Sequence, residues 1–307
     1  MKKAEWTIEE ITDLKGKIVV VTGANVGLGF ESSKIYAQKN ATVIMACRSL
    51  DKAEDAKRQI LAEYPNSNLI TLRLDLGSLK SIQSFVETFK KEFTRLDILL
   101  NNAGIMTVPY GKTEDGFELQ NGVNHLGHFA LTAQLFDVIK NTPNSRIVSV
   151  SSLAHKQGKI DFDNYLFENG DYGKMKSYSR SKLSNLLFIY ELDRRIKEKG
   201  YSVKALAAHP GTSSTELGRY LKSESSSNLF LRLALKFGQP PYLGCLPQVR
   251  ASLDINAKSG QYYGPDSLTG MKGYPVLVKS NKLSHDLHDA KALWELSEQL
   301  TKTIFEI

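Results

Sequence analysis

Tyr178 and Lys182 lie four residues apart in the segment YSRSK, inside a stretch with the composition of a helix. Residues i and i+4 share a helix face, so a phenol and an ammonium at this spacing project into one site. A free phenol, with a pKa near 10, is too weak an acid to exchange protons at neutral pH. A fixed positive charge nearby favours the phenolate and draws that value toward the working range. The spacing therefore predicts Tyr178 as a general acid/base and Lys182 as the charge that tunes it. Such a pair is common by chance, and it gains meaning only from a second feature upstream.

That feature is the segment Thr22-Gly23-Ala24-Asn25-Val26-Gly27-Leu28-Gly29, which follows the apolar, β-branched run Lys17 to Val21. A strand-to-helix turn presents free backbone N–H groups at the positive end of a helix dipole. Glycines there let the backbone approach a diphosphate and let the helix pack against the strand. With further strand–helix units downstream, the segment predicts a dinucleotide cradle made by Gly23, Asn25, Val26, Gly27, Leu28 and Gly29. The end of the second strand reads the adenosine ribose: a carboxylate there suits a 2′-hydroxyl, a cation a 2′-phosphate. The sequence has Ala46-Cys47-Arg48-Ser49 at this point. The planar fork of Arg48 favours NADP. No basic residue stands in the glycine segment itself, so Arg48, helped by Lys52, carries the preference, and use of NAD as well stays open.

The elements that must hold these residues alternate. Short apolar runs at 17–21, 42–46, 69–74, 97–100, 146–150, 202–207 and near 261 predict about seven buried strands. Helical segments are predicted at 27–38, 51–63 capped by Asp51, 78–93 capped by Ser78, 117–139, 178–199, 229–235, 247–256 and 284–304. Alternation of this kind requires parallel strands joined by right-handed crossovers, with helices on both faces. The expected fold is a single-domain α/β, Rossmann-type doubly wound parallel sheet over residues 1–307. Residues 155–175, rich in Gly, Asn, Asp and aromatics, interrupt the rhythm, and residues 212–245 read as a lid over the site.

The chain of 307 residues is 41% hydrophobic and 24% charged, enough for a sizeable core. Its net charge of +7 is spread along the chain without a run of like charges or interleaved aromatics, which argues against nucleic-acid binding. Two cysteines, Cys47 and Cys245, make neither a disulfide framework nor a metal site. The polar N-terminus has no apolar signal core, and no apolar run is long enough to span a bilayer. A soluble protein of a reducing compartment, most simply the cytoplasm, is the expectation. His125 with His128 is expected to pack within a helix. His285, Asp286, His288 and Asp289 are expected at a solvated helix start rather than around a metal.

Taken in order, further motifs make the chain resemble the short-chain dehydrogenases/reductases over nearly its whole length. They are the glycine segment, Asp75-Leu76, Asn101-Asn102-Ala103-Gly104, Asn124 in VNHLGHF, Ser151-Ser152, YSRSK and HPGTSST at 209–215. The variants ACRS, VSSLAH, HPG and LWELSEQLT look most like the retinol dehydrogenase and protochlorophyllide reductase-like branch. The resemblance implies a catalytic set of Asn124, Ser152, Tyr178 and Lys182. Tyr178 would exchange the proton, Lys182 would tune it and hold the nicotinamide ribose, and Ser152, better placed than Ser151, would bond the substrate oxygen. Asn124 would interrupt its helix and hold a water near Lys182. Around the cofactor, Asp75 and Leu76 would meet the adenine and Asn102, Ala103 and Gly104 its ribose. Pro210, Gly211, Thr212 and Thr215 would cover the nicotinamide.

The implied activity is interconversion of a carbonyl and an alcohol on a lipophilic small molecule. A nucleotide-retaining epimerase or dehydratase, and a non-catalytic dinucleotide sensor, are the other readings. Leu217, Tyr220, Leu221, Leu229, Phe230, Leu233 and Phe237 of the lid either face substrate or pack the lid on the body. Phe162, Tyr165, Phe167 and Tyr172 are expected as an opposite wall, with His155 at the mouth. Family members often form dimers or tetramers, which would make Leu186, Leu187 and Ile189 interface instead of core.

Overall fold

The computed structural model of the chain describes residues 5–212 and 238–307. Its strands are β1 (Ile18–Thr22), β2 (Thr42–Cys47), β3 (Asn68–Arg73), β4 (Ile98–Asn101), β5 (Arg146–Val150), β6 (Lys204–Ala208), β7 (Tyr262–Pro265) and β8 (Pro275–Leu277). They form one sheet in the order β3-β2-β1-β4-β5-β6-β7-β8. Every pairing is parallel except β7 with β8. Strand order reverses between β1 and β4, and the crevice beyond the carboxyl ends of strands at such a reversal is where open α/β sheets bind ligands.

Alternation of side chains along a strand divides the core in two. Val19 and Val21 of β1 face α1 (Gly27–Gln38), α2 (Leu50–Glu63) and α7 (Pro241–Leu253). Val20 faces the other side, with α3 (Leu79–Glu92), α5 (Gly127–Lys140), α6 (Lys174–Lys199) and α8 (Leu287–Thr301). Both faces of the sheet are covered, which explains why its strands read as continuous apolar runs.

The architecture matches the expected class, with four local differences. An eighth strand, β8, closes the edge as the return arm of a hairpin. Ser49, rather than Asp51, caps α2 by accepting from Lys52 N, whereas Ser78 caps α3 as expected. The helix expected at 117–139 is broken into α4 (Leu119–Asn121), a π-turn (Gly122–Leu126) and α5. Helix α7 begins at Pro241 and carries Pro247 inside it.

Leu186, Leu187 and Ile189 are fully buried within the chain. Helix α8 and the tail behind it lie over α5 and α6: Trp294 stacks on Phe305 at 4.7 Å between centroids and also meets Phe129 and Phe188. Among the described residues no helix is long and apolar enough to cross a membrane.

Candidate active site

The glycine segment turns from β1 into α1 with Gly23 at φ +66° and Gly27 at φ +58°, both left-handed. At Gly29 a side chain has no room, because a Cβ would lie 2.2 Å from Gly23 O and 2.7 Å from Asn102 Nδ2. Val26, which precedes α1, offers no side-chain cap, and the first turn holds no acid. The leading N–H groups of α1 are therefore open to an anion, which is what a diphosphate requires. Asn25, Val26, Gly27, Leu28 and Gly29 line a cleft together with Ala103, Gly104, Tyr178, Lys182 and Pro210.

Polar side chains behind the cleft hold its floor. Thr22 Oγ1 accepts from Asn102 N and Ala103 N, each at 2.9 Å. Asn102 Nδ2 donates to Thr22 O at 2.8 Å, and its Oδ1 accepts from Gln248 Nε2 at 3.0 Å. The Asn102 amide thus braces the loop, and Asn102, Ala103 and Gly104 all line the cleft. Gln248 was not singled out by the sequence, since a glutamine in α7, far along the chain, has no local signature.

Arg48 is exposed just past the end of β2, next to the Ser49 cap of α2. Asp75 stands past β3, where its Oδ1 accepts from Gly77 N at 2.9 Å. Leu76 is buried, and its carbonyl lies so close to Gly127 that a Cβ there would be 2.3 Å away. Its side chain belongs to the core.

The π-turn holds Asn124 fully buried. Its Oδ1 accepts from Ile105 N at 2.8 Å, and its Nδ2 donates to Ile105 O at 3.0 Å and to Ser181 Oγ at 2.9 Å. A Cβ at Gly104 would lie 3.2 Å from Asn124 Oδ1 and 3.4 Å from Lys182 Nζ, so both groups face that backbone position. The backbone of the π-turn is used as well: Asn124 O accepts from His128 Nδ1 at 3.0 Å. That fixes the tautomer, and His128 Nε2 accepts from the Thr22 hydroxyl at 2.9 Å.

Ser151 and Ser152 separate cleanly. Ser151 Oγ donates to Lys182 O at 2.7 Å and so ties β5 to α6. Ser151 also lines the cleft, whereas Ser152 Oγ accepts from Ala154 N at 3.2 Å and is the hydroxyl whose nearness favours ionisation of Tyr178. Burial pushes the Tyr178 phenol above its ordinary range, and the Ser152 hydroxyl opposes that shift. The direction differs from the sequence expectation because desolvation of the phenolate outweighs any charge nearby. Lys182, also buried, is itself drawn down to about 8 by desolvation, and its Nζ donates to Val150 O at 3.0 Å. The ammonium lies 5.8 Å from the centre of the Tyr178 ring.

Pro210 lines the cleft; Gly211 and Thr212 follow it in the chain, and Thr212 N donates to Met271 O at 2.8 Å. Thr215 and the lid residues Leu217, Tyr220, Leu221, Leu229, Phe230, Leu233 and Phe237 lie outside the described residues. The wall expected from residues 155–175 is largely absent from the cleft. Tyr165 and Phe167 are buried beneath it, packed by the Arg180 guanidinium, which sits 4.0 Å from the Phe167 ring centre. His155 is buried as well; its Nδ1 donates to Ser152 O at 2.6 Å. His125 and His128 are buried in the core, and Asp286 caps α8 by accepting from His288 N and Asp289 N.

A family model described as short chain dehydrogenase matches residues 17–166. Mouse retinol dehydrogenase 13 is 41% identical over 292 residues, 94% of this chain and 84% of that protein. Human retinol dehydrogenase 13 is 47% identical over 207 residues, a match spanning 67% of this chain and 62% of the human protein. Among solved structures, an uncharacterised protein from Mycobacterium paratuberculosis superposes with a TM-score of 0.82 at 37% identity, covering 99% of this chain and 100% of that one. A short chain dehydrogenase of Shigella flexneri complexed with NADP shares the fold, with a TM-score of 0.62 at 20% identity over 81% of this chain and 96% of that one. The chain belongs to the short-chain dehydrogenase family, in its retinol dehydrogenase-like branch. Members of that family are NAD(P)-dependent oxidoreductases acting on CH–OH groups.

Proposed function

We propose that this chain is an NADP-dependent oxidoreductase that interconverts a carbonyl and an alcohol on a lipophilic small molecule, with Tyr178 as the general acid/base. One observation carries the reading: a single cleft is lined by the open N-terminus of α1 and by Tyr178 and Lys182. The glycine turn and the small residues Ala103 and Gly104 in the cleft lining fit a dinucleotide. When bound, its nicotinamide supplies or takes up the hydride. During reduction the Tyr178 hydroxyl gives its proton to the carbonyl oxygen, while the Ser152 hydroxyl donates a hydrogen bond to the same atom and fixes its position. The phenolate left behind is favoured by the Lys182 ammonium. During oxidation the phenolate takes the alcohol proton back. Asn124 keeps Ile105 and the Ser181 end of the helix in place, so that these groups converge. Arg48 and Lys52 at the start of α2 favour the 2′-phosphate of NADP.

Titration of the protein with NADPH and NADH, followed by net consumption of NADPH with a panel of aldehydes and ketones, tests the reading. Tyr178→Phe is expected to lose at least 100-fold in turnover and to keep its NADPH affinity. Full activity in that variant, or carbonyl conversion without net NADPH consumption, would refute it.

A further inference from the structure

We propose that Gln120 is a positioning residue that sets an apolar substrate wall, made by Met106 and Met175 beside Tyr178, and that this wall selects an extended, uncharged carbonyl compound. The proposal rests on the reading of Tyr178 as the proton donor. Met106, Met175 and Ala154 pack against the Tyr178 ring in a small apolar cluster separate from both halves of the core. Met106 lines the cleft. Thioether side chains are unbranched and polarisable, and they fit apolar surfaces of varied shape. None of these side chains carries a charge that could stabilise an anionic substrate.

Flexible side chains select only if their backbones are fixed. Residues 105–108 leave the sheet after β4 as a strap without regular structure. The strap is gripped on both sides of Met106: Asn124 brackets Ile105, and Thr107 N donates to Gln120 Oε1 at 2.8 Å. The same amide reaches the other methionine, because Gln120 Nε2 donates to Lys174 O at 2.9 Å, next to Met175, and to Tyr172 Oη at 3.1 Å. Tyr172 in turn donates to Val108 O at 2.7 Å. One fully buried amide thus ties the strap that carries Met106 to the start of α6, which carries Met175. Thr107, β-branched and buried, is held at φ +53°, a left-handed conformation that persists only where neighbours impose it. Behind Gln120, the buried Glu118 carboxylate accepts from Gln120 N, Asn121 N and Nδ2, and Ser177 Oγ, so α4 is pinned to α6 one residue before Tyr178.

The test compares decanal with propanal in NADPH-dependent turnover by wild type, Gln120→Leu, Tyr172→Phe and Met106→Ala. Gln120→Leu and Met106→Ala are expected to lower the decanal-to-propanal ratio of kcat/KM at least tenfold, through a raised KM for decanal, with NADPH affinity within twofold of wild type. Tyr172→Phe removes two of the ties and is expected to lower the ratio about threefold. An unchanged ratio in folded Gln120→Leu, or an equal loss for both aldehydes together with NADPH affinity, would overturn the proposal. Should Gln120→Leu not fold, an unchanged ratio in Met106→Ala overturns it. Calorimetric binding of decanol and propanol in the presence of NADP separates the two levels. If wild type turns over neither aldehyde, the functional reading fails; the wall stands only if decanol binds better than propanol and Met106→Ala abolishes the difference.

Discussion

Lys182 keeps its ammonium almost fully buried at the edge of the cleft, with the Val150 carbonyl as acceptor. Between pH about 8 and 10.5 the folded chain holds the neutral amine while the unfolded chain holds the ammonium. Stability therefore rises with pH across that window and is flat in this respect below about 8, where both states are charged. The difference between the two values makes the buried charge cost roughly 3 kcal/mol at neutral pH. Lys182→Met is expected to unfold at higher urea than wild type at pH 7, by about 1–3 kcal/mol, while turnover falls at least 100-fold. A lower urea midpoint for the variant would show that the lysine is structural.

At the scale of elements, the contact between the glycine turn and α1 decides whether a diphosphate can be held. Gly29 sits where a methyl group would meet the Gly23 carbonyl, which is backbone and cannot swing aside. Gly29→Ala is expected to destabilise the protein by about 1–3 kcal/mol and to weaken NADPH binding at least tenfold, read by fluorescence titration. Unaltered affinity would mean that the turn does not carry the cofactor. This turn was legible in the sequence, as were β1 to β7, because glycine spacing and continuous apolar runs are local signals. The π-turn was legible only as an interruption at Asn124. Strand β8 was not legible: three residues beginning with Pro275, paired only to the neighbouring strand, have no period to read. The wall expected from Tyr165 and Phe167 failed for a related reason, since the sequence could not show that Arg180, between Tyr178 and Lys182, would draw them under the helix. Gln120, Glu118 and Gln248 were invisible because each acts through partners distant in sequence.

Across the whole molecule, buried imidazoles join the layers. His128 connects α5 to β1, His125 bonds Ser297 of α8 at 2.9 Å, and His155 bonds the Ser152 backbone and accepts from Asn281 N at 3.3 Å. His209 accepts from Gly211 N through Nδ1 at 3.2 Å. Burial pulls all four below the ordinary histidine value of 6.5: His125 and His209 to about 3, His128 to about 4, and His155 in the same direction. They remain neutral in the fold, whereas the unfolded chain protonates them as pH drops below about 6.5. The unfolded state then binds more protons, so stability is lost as pH falls from 6.5 toward the folded values. Each such histidine adds up to about 1.4 kcal/mol per pH unit to that slope. Between pH 6.5 and 5, above the ordinary range of most carboxylates, Tm is expected to fall steeply, before any loss attributable to acid groups. Calorimetry across that interval checks it, with His125→Leu expected to fall less steeply by one proton's share. A Tm that stays level from pH 7 to 5 would mean that these imidazoles are charged or solvated in the fold, and that the joins between sheet, α5 and α8 are made some other way.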